Sequence, residues 1–530
     1  MSLRPHSRPG AAHDESPSSE HGIGASGFAD RRECARQCHR QHSQHSGGLT
    51  MILRHSLLYL PAQVIGPAVQ LIAMIAWTHL VDAHAVGVIT LVTAMHELLQ
   101  VVFLAWWSQY ALRFFGRHRD SGDPGRFHRT ENAILLLSIA AQSLISIVML
   151  LWIVAPGASG PLIAATVLYV MTRALSLYVS ERARTSQQIG IYSVQQIAGP
   201  AVGFLLGWIM VQTIAPAPEY QLRGYDSAQA FAVIVVLPRL TFGHRVLPVD
   251  HETIRQALHY GVPLVIGGGL SWIGLNGSRF IVNDMLGVAS AGVFAIGYGL
   301  GQRASAMAAM LVTVATYPIA VKSMEEKGSV AAMRQLADNG ALLLAVLAPA
   351  TLGVFMLRHE IVTTLIAEPF RAGTLAILPL SVLAGSVRSI RAHFGDQVFL
   401  LHNRTRLHVV VSATDALGTI ILGLALTAMW GITGAAIASI AAATLAAAVS
   451  IGIGLRLFRL QIPVLHSLRI VLACAAMGLA LSKLPEAANT SLLLLHIAAG
   501  MATYCLALML TYAPWLLQRA RRRTSIAPAE

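Results

Sequence analysis

Charge is scarce in this sequence: of 530 residues only 12% are Asp, Glu, Lys or Arg. A water-soluble chain carries about 25%, because its surface must be solvated. Hydrophobic residues make up 55% and the mean hydropathy is +0.60. A soluble globular enzyme is thereby excluded, and most of the surface must meet lipid. Cysteine is scarce too. Cys34 and Cys38 lie near the start and Cys474 and Cys505 in apolar stretches, so no disulfide framework is implied. Acidic residues number 25 against 38 basic ones, giving a net charge of +13. Such an excess can mark a nucleic-acid binder. Here the basic residues are scattered through short loops between apolar segments, so no nucleic-acid partner is expected.

Catalytic motifs are missing as well. His96-Glu97, His251-Glu252 and His359-Glu360 begin like a zinc-protease helix, but Gln100, Arg255 and Thr363 stand where the second histidine would be needed. Gly297, Gly299 and Gly301 fall inside an apolar helix and follow no strand, so they are no phosphate loop. Cys34, Cys38, His39, His42 and His45 have ligand chemistry without a zinc spacing. The sequence therefore gives no reason to expect catalysis, a metal or a cofactor.

What is present is a succession of apolar runs. A helix of about 20 apolar residues covers a bilayer core of about 30 Å, and helix is expected because lipid offers the backbone no hydrogen-bond partner. Residues 56–79, 85–108, 132–154, 160–180, 191–213, 226–238, 257–282, 290–318, 338–357, 374–394, 407–429, 431–455, 467–483 and 491–517 are the expected spans. The sixth is short, ending at Pro238-Arg239, and the tenth carries Arg388 and Arg391 near its end. Fourteen spans fit best, with twelve or thirteen still open.

Loop charge supports that count. With both termini cytoplasmic, one set of loops collects Arg113, Arg117, Arg126, Arg129, Arg182, Arg184, Lys322, Lys327, Arg388, Arg391, Arg404, Arg406 and others. The opposite set holds Arg223, Arg279, Arg358, Arg371 and Lys483. Roughly 31 of the 38 basic residues fall on one side, as the positive-inside bias of membrane proteins requires.

The expected organisation follows. Residues 1–50 are a polar, disordered cytoplasmic tail, since they contain no apolar run. Met51, which opens MILRHSLLYLP, sits where a translation start would. Residues 51–238 form a six-helix lobe, 239–256 a cytoplasmic linker, 257–455 a second six-helix lobe, 456–517 two additional helices and 518–530 a basic tail. The halves repeat. YLPAQVIG from Tyr59 matches YGVPLVIG from Tyr260, and AVGVITL from Ala85 matches AGVFAIG from Ala291. Six helices separate the copies, so they share one orientation, the parallel-repeat plan of some transporters. Pro61, Pro67 and Pro263, with Gly267, Gly268 and Gly269, are expected to interrupt the paired helices, either as hinges or to let neighbouring helices pack closely.

From residue 271 to 328 the chain reads SWIGLNGSRFIVNDMLGVASAGVFAIGYGLGQRASAMAAMLVTVATYPIAVKSMEEKG. This stretch resembles the polysaccharide-biosynthesis (O-antigen) flippases of the MOP exporter superfamily. Its elements are an Arg-Phe ending a helix, a Leu-Gly-x-x-x-x-Gly turn, a helical Tyr and a Pro before a basic loop. WWSQYALRFFGRH, HYGVPLVIG and GITGAAIASI resemble the same family. Ser278-Arg279 stands where that family often has Asp-Arg, so no role of that Asp carries over. The resemblance implies an all-α polytopic protein: a V-shaped pair of six-helix lobes plus two C-terminal helices. It also implies alternating-access transport of a polyprenyl-pyrophosphate-linked oligosaccharide across a bacterial inner membrane, for O-antigen, capsule or exopolysaccharide. Polysaccharide polymerase machinery and membrane lipids are the further partners expected.

Such cargo needs a wet, cationic chamber. Arginine inside a membrane is costly, and its planar fork suits phosphate. Arg303 and Arg279 are therefore candidates for a headgroup site, with Arg173 a third; alternatively Arg279 snorkels to the outer interface or pairs with Asp284. Glu97 and Asp415 are expected either to couple an ion or to neutralise an arginine. Gln63, Gln70, Gln195, Gln196 and Asn276 are candidates for a polar lining, and Trp106, Trp107 and Trp208 for the lipid headgroup level. Three alternatives remain. A multidrug antiporter of the superfamily usually carries an acidic residue in its first helix, and 56–79 has none. A lipid II flippase has an arginine-rich first helix, and Arg54 precedes the membrane here. A membrane polysaccharide polymerase commonly needs a sizeable outer loop, whereas the longest outer connection, residues 358–373, is short.

Overall fold

The computed structural model describes residues 65–120, 124–186, 188–239, 246–485 and 489–524. All of them lie in one compact unit, Pro61–Glu530. The expected tail 1–50, Pro61 and Gln63 fall outside the described residues. No strand occurs among the described residues.

The first half contains α1 (Ile65–Thr78), then α2 (Ala83–Gln100), α3 (Trp106–Asp120), α4 (Pro124–Met149), α5 (Gly160–Thr185), α6 (Ile189–Thr213) and α7 (Pro218–Val236). The second contains α8 (His251–Leu286), α9 (Val288–Met356), α10 (Arg358–Leu365), α11 (Glu368–Ile390), α12 (Gln397–Leu401) and α13 (Thr405–Phe458). Then come α14 (Val464–Leu481) and α15 (Thr490–Thr524). Among the described residues, ten helical stretches are long and apolar enough to cross a membrane. Two of them, α9 and α13, break at Gly328 and at Trp430-Gly431. The two glycines have φ of +79° and +59°, a conformation that costs glycine little. Counting the parts of α9 and α13 separately, and adding α1 and α7, every expected span has a helix among its described residues.

The expected bounds need correction in three places. The sixth span is longer than 226–238, because α7 begins at Pro218 and carries Glu219, Arg223 and Asp226 into the bundle. The expected linker 239–256 ends in helix, since α8 starts at His251. Arg388 and Arg391 are not loop residues. α11 runs to Ile390 and continues as a π turn, Arg391–Gly395, and both arginines are buried.

Helix starts follow local chemistry. The Asp82 side chain accepts from Ala85 N at 2.8 Å and so caps α2. Ser159 does the same for α5, with Pro161 just inside the helix. π turns also interrupt the helices at Val101–Ala105 and Leu150–Val154. A π turn frees a carbonyl, which in lipid must find a donor. Ser138 Oγ and Trp106 Nε1 donate to Phe103 O at 2.9 and 3.0 Å. Asn283 Nδ2 donates to Ile153 O at 2.7 Å.

The repeat is visible as a contact. A Cβ at Gly87 would lie 2.1 Å from Val288 O, and one at Gly292 would lie 2.1 Å from Ala83 O. The two copies of the AVGVITL-like segment thus cross reciprocally, backbone on backbone, as small residues permit between membrane helices. This crossing ties the starts of α2 and α9 together. Leu91, Met95, Phe294 and Tyr298 form a buried cluster nearby, with Leu150 and Ala435.

Each half also buries an ion cluster. In the second, Arg388 donates to Asp415 Oδ1 from Nη2 at 3.1 Å and to Oδ2 from Nε at 3.2 Å. Arg391 Nη1 reaches Asp415 Oδ2 at 2.7 Å. Arg388 also donates to Gly274 O, Ser439 Oγ and the Tyr298 hydroxyl. One guanidinium therefore joins α8, α9, α11 and α13. In the first half, Glu131 is fully buried and pairs with Arg182 at 3.3 Å and His128 at 2.9 Å. Tyr178 donates to Glu131, and Trp107 Nε1 donates to the Tyr178 hydroxyl at 3.1 Å. Trp107 is consequently a core residue, not the headgroup marker expected of it.

Outside the membrane, the Asp250 carboxylate caps α8, accepting from Thr253 Oγ1 at 2.7 Å, Arg126 Nη2 at 3.2 Å and Glu252 N at 3.2 Å. The Thr253 hydrogen bond, aided by the Arg126 charge, holds this carboxyl below the usual carboxylate range.

Candidate functional site

Arg173, Arg279 and Arg303, from helices far apart in sequence, line one cavity. It encloses an empty volume of about 1040 Å³, open solvent at its mouth included. Its walls come from α1, α2, α5, α6 and α7 of the first half and from α8 and α9 of the second. Glycines bring these walls close. A Cβ at Gly224 of α7 would lie 2.1 Å from Gly207 N of α6, so α7 is pressed against α6 with Gln221 and Tyr225 set into the cavity wall.

The three arginines are held differently. Arg303 Nη1 of α9 donates to Gln70 Oε1 of α1 at 2.6 Å, a bond that joins the two halves. Arg279 Nη1 donates to Asn276 Oδ1 at 3.1 Å, and Asn276 Nδ2 donates to Glu97 Oε2 at 3.4 Å. Arg279 Nε is buried with no hydrogen-bond partner. Arg173 lies against Gly199, whose Cβ would be 3.6 Å from Arg173 Nη1 and 3.6 Å from Gln229 Nε2. Glu97 is exposed, not buried as its place within an apolar segment suggested, and it lines the same cavity. Among the described residues, no ion pair within 4 Å joins Glu97 to any of these arginines. Among the described lining residues the chamber thus holds three cations and one carboxylate, with Arg303, Arg279 and Glu97 held by hydrogen bonds. Bound arginine hydrogens are strong donors to anionic oxygens.

The other expected residues part company. Asp415 is not in the cavity; it is committed to Arg388 and Arg391. Gln195 is committed as well, accepting from Ser176 Oγ at 2.8 Å and donating to Ala232 O at 2.9 Å. Of the expected polar lining, Gln70 does face the cavity. Pro263, Gly267 and Gly268 sit inside a continuous α8 with helical backbone throughout, so the interruption expected there is absent.

Sequence reasoning passed over the polar wall made by α7. Gln221, Tyr225 and Gln229 line the cavity. Trp77 Nε1 donates to the Tyr225 hydroxyl at 3.2 Å, and Gln229 Oε1 accepts from Thr172 Oγ1 at 3.3 Å. Both amide atoms of Gln221 are buried without a partner. The i, i+4, i+8 spacing of these three residues was the available signal, hidden because those turns are too polar to be read as membrane helix.

The fold is that of a polytopic, all-helical membrane protein, and it is similar to solved transporters. Lipid II flippase MurJ in an inward closed conformation superposes with a TM-score of 0.69 at 13% identity, over 87% of this chain and 100% of that one. A MOP superfamily transporter from Pyrococcus furiosus reaches a TM-score of 0.50 at 13% identity, over 81% and 96%. Residues 162–375 match the family model described as polysaccharide biosynthesis protein. No curated protein sequence matches the chain. The match to the polysaccharide-biosynthesis family is thus one of sequence over residues 162–375, and the likeness to MurJ is one of fold.

Proposed function

We propose that this chain is a flippase for lipid-linked saccharide precursors, carrying a polyprenyl-pyrophosphate oligosaccharide across a bacterial inner membrane by alternating access. The observation that carries this reading is the cavity in which Arg173, Arg279 and Arg303 converge between helices of both halves, none of the three forming an ion pair with a described residue. Burying a cation in low dielectric is costly unless an anion answers it, and a pyrophosphate diester supplies two charges and several acceptor oxygens. The amides of Gln221 and Gln229 and the Tyr225 hydroxyl beside them are donors and acceptors suited to sugar hydroxyls. The polyprenyl tail stays in lipid. On this reading residues 51–238 and 257–455 are the two moving lobes, 456–517 the added pair, and Pro263 with Gly267 and Gly268 a hinge. Both termini are cytoplasmic, and the glycan serves O-antigen, capsule or exopolysaccharide assembly beside polymerase machinery.

The test is a deletion strain with side-selective labelling of its saccharide lipid. Complete precursor held on the cytoplasmic leaflet is the expected outcome. Single units already outside would instead mark a polymerase, and vesicles of purified protein that move no saccharide lipid would overturn the proposal.

A further inference from the structure

A second cationic site lies away from the cavity, where α14 begins and α15 nears its end. His466 Nδ1 and the Tyr512 hydroxyl share a hydrogen bond at 2.6 Å, and their rings stack with centroids 5.6 Å apart. The Arg469 guanidinium lies over the Tyr512 ring at 4.7 Å. Its Nη1 is buried without a hydrogen-bond partner. The arginine is thus fixed in place by an aromatic face while one donor remains unanswered, and an unanswered charged donor costs more than a neutral one.

Its surroundings say what would answer it. Leu465, Leu468, Leu472 and Leu479 are exposed on α14, at spacings of three, four and seven that place them on one helix face. That stripe runs along α14 away from the Arg469 end and offers an apolar face to an acyl chain. Charge collects at the same end. Exposed Arg456 and Arg459 lie just before α14. Basic clusters flanking a spanning helix attract anionic lipid.

We propose that Arg469, braced by Tyr512 and His466, binds the phosphate of an anionic phospholipid whose acyl chain lies along the α14 leucines. The site is separate from the transport cavity and does not depend on what that cavity carries.

Native mass spectrometry of the full-length protein, released from detergent with phosphatidylglycerol or phosphatidylcholine, tests it. Wild type should retain phosphatidylglycerol selectively, and Arg469→Gln should bind it about tenfold more weakly, the scale of one charge-assisted hydrogen bond. Arg469→Lys, which keeps the charge and guards against a folding defect, should fall between the two. Equal retention by wild type and both variants would overturn the proposal, as would equal retention of phosphatidylcholine. Displacement of the lipid by inorganic phosphate at low concentration would also overturn it, since that would mark a free-anion site.

Discussion

Arg388 and Asp415 meet fork to fork, two nitrogens on two oxygens at 3.2 and 3.1 Å, with both side chains almost wholly buried. Arg391 holds the same carboxylate from the next turn at 2.7 Å. Asp415→Asn would leave two buried guanidinium groups facing a neutral amide. Breaking a buried pair on one side costs about 3–5 kcal/mol, so the variant should lose its folded form at markedly lower temperature in detergent. Transport per folded molecule should change far less than the folded fraction. An unaltered unfolding temperature would remove this cluster from the list of structural supports.

The cavity arginines should behave in the opposite way. On the proposed function, Arg303→Gln, Arg279→Gln and Arg173→Gln each remove a donor to the headgroup while leaving the core packed. Loss of one charge-assisted hydrogen bond corresponds to about tenfold in affinity. Each variant should therefore cut transport by at least that factor at normal abundance, and Lys replacements should recover part of it. Transport of saccharide lipid into sealed vesicles, normalised to protein, is the measurement. Full activity in all three glutamine variants would empty the cavity of its assigned role.

How much of this was legible in the sequence depends on how local each signal is. The three arginines could be named in advance because an isolated charge within an apolar run has no cheap explanation. That they share one chamber could not, since Arg173 lies in the first half and Arg303 in the second, and only the packed structure brings those halves together. Arg388 and Arg391 misled, because arginines near a helix end read as interfacial, and their partner Asp415 lies on another helix. α7 was cut short for a related reason. Glu219, Arg223 and Asp226 lower the apolar average of its first turns, and the buried Gln221 was lost with them.

Pro263 offers a test of mechanism. It removes one backbone donor from the middle of α8, so the helix there is continuous in conformation yet one hydrogen bond short. Such a place bends at low cost when a neighbouring lobe moves. Pro263→Ala restores the donor and stiffens the helix. Protein abundance should hold or rise while transport falls several-fold. Undiminished transport would show that the bend is not used.

Asp250 sets a pH dependence outside the membrane. Its carboxyl is held below the usual range by Thr253 and Arg126, so the folded state gives up this proton more readily than the unfolded state. The stabilisation is complete above the unfolded value of about 4 and disappears as pH falls through the lower, folded value. Asp250→Asn should lower the unfolding temperature at neutral pH. The gap between variant and wild type should close on acidification through that window. A gap that stays constant with pH would mean that Asp250 acts only as an uncharged cap.

Glu97 is the cavity's one carboxylate among the described lining residues, and it reaches Arg279 only through Asn276. It offsets part of the arginine charge without being locked to it, which on the proposed function suits the ion-coupling role expected of it. Replacing it by Gln keeps a hydrogen bond to Asn276 and removes the charge. Three uncompensated arginines should then hold an anionic headgroup more tightly and release it more slowly, so KM and turnover fall together. The same variant should lose any acceleration that an imposed proton or sodium gradient gives the wild type. Initial rates in vesicles, measured with and without each gradient, decide the matter. A raised KM at unchanged turnover, with the gradient response intact, would mean that Glu97 serves only to orient Asn276.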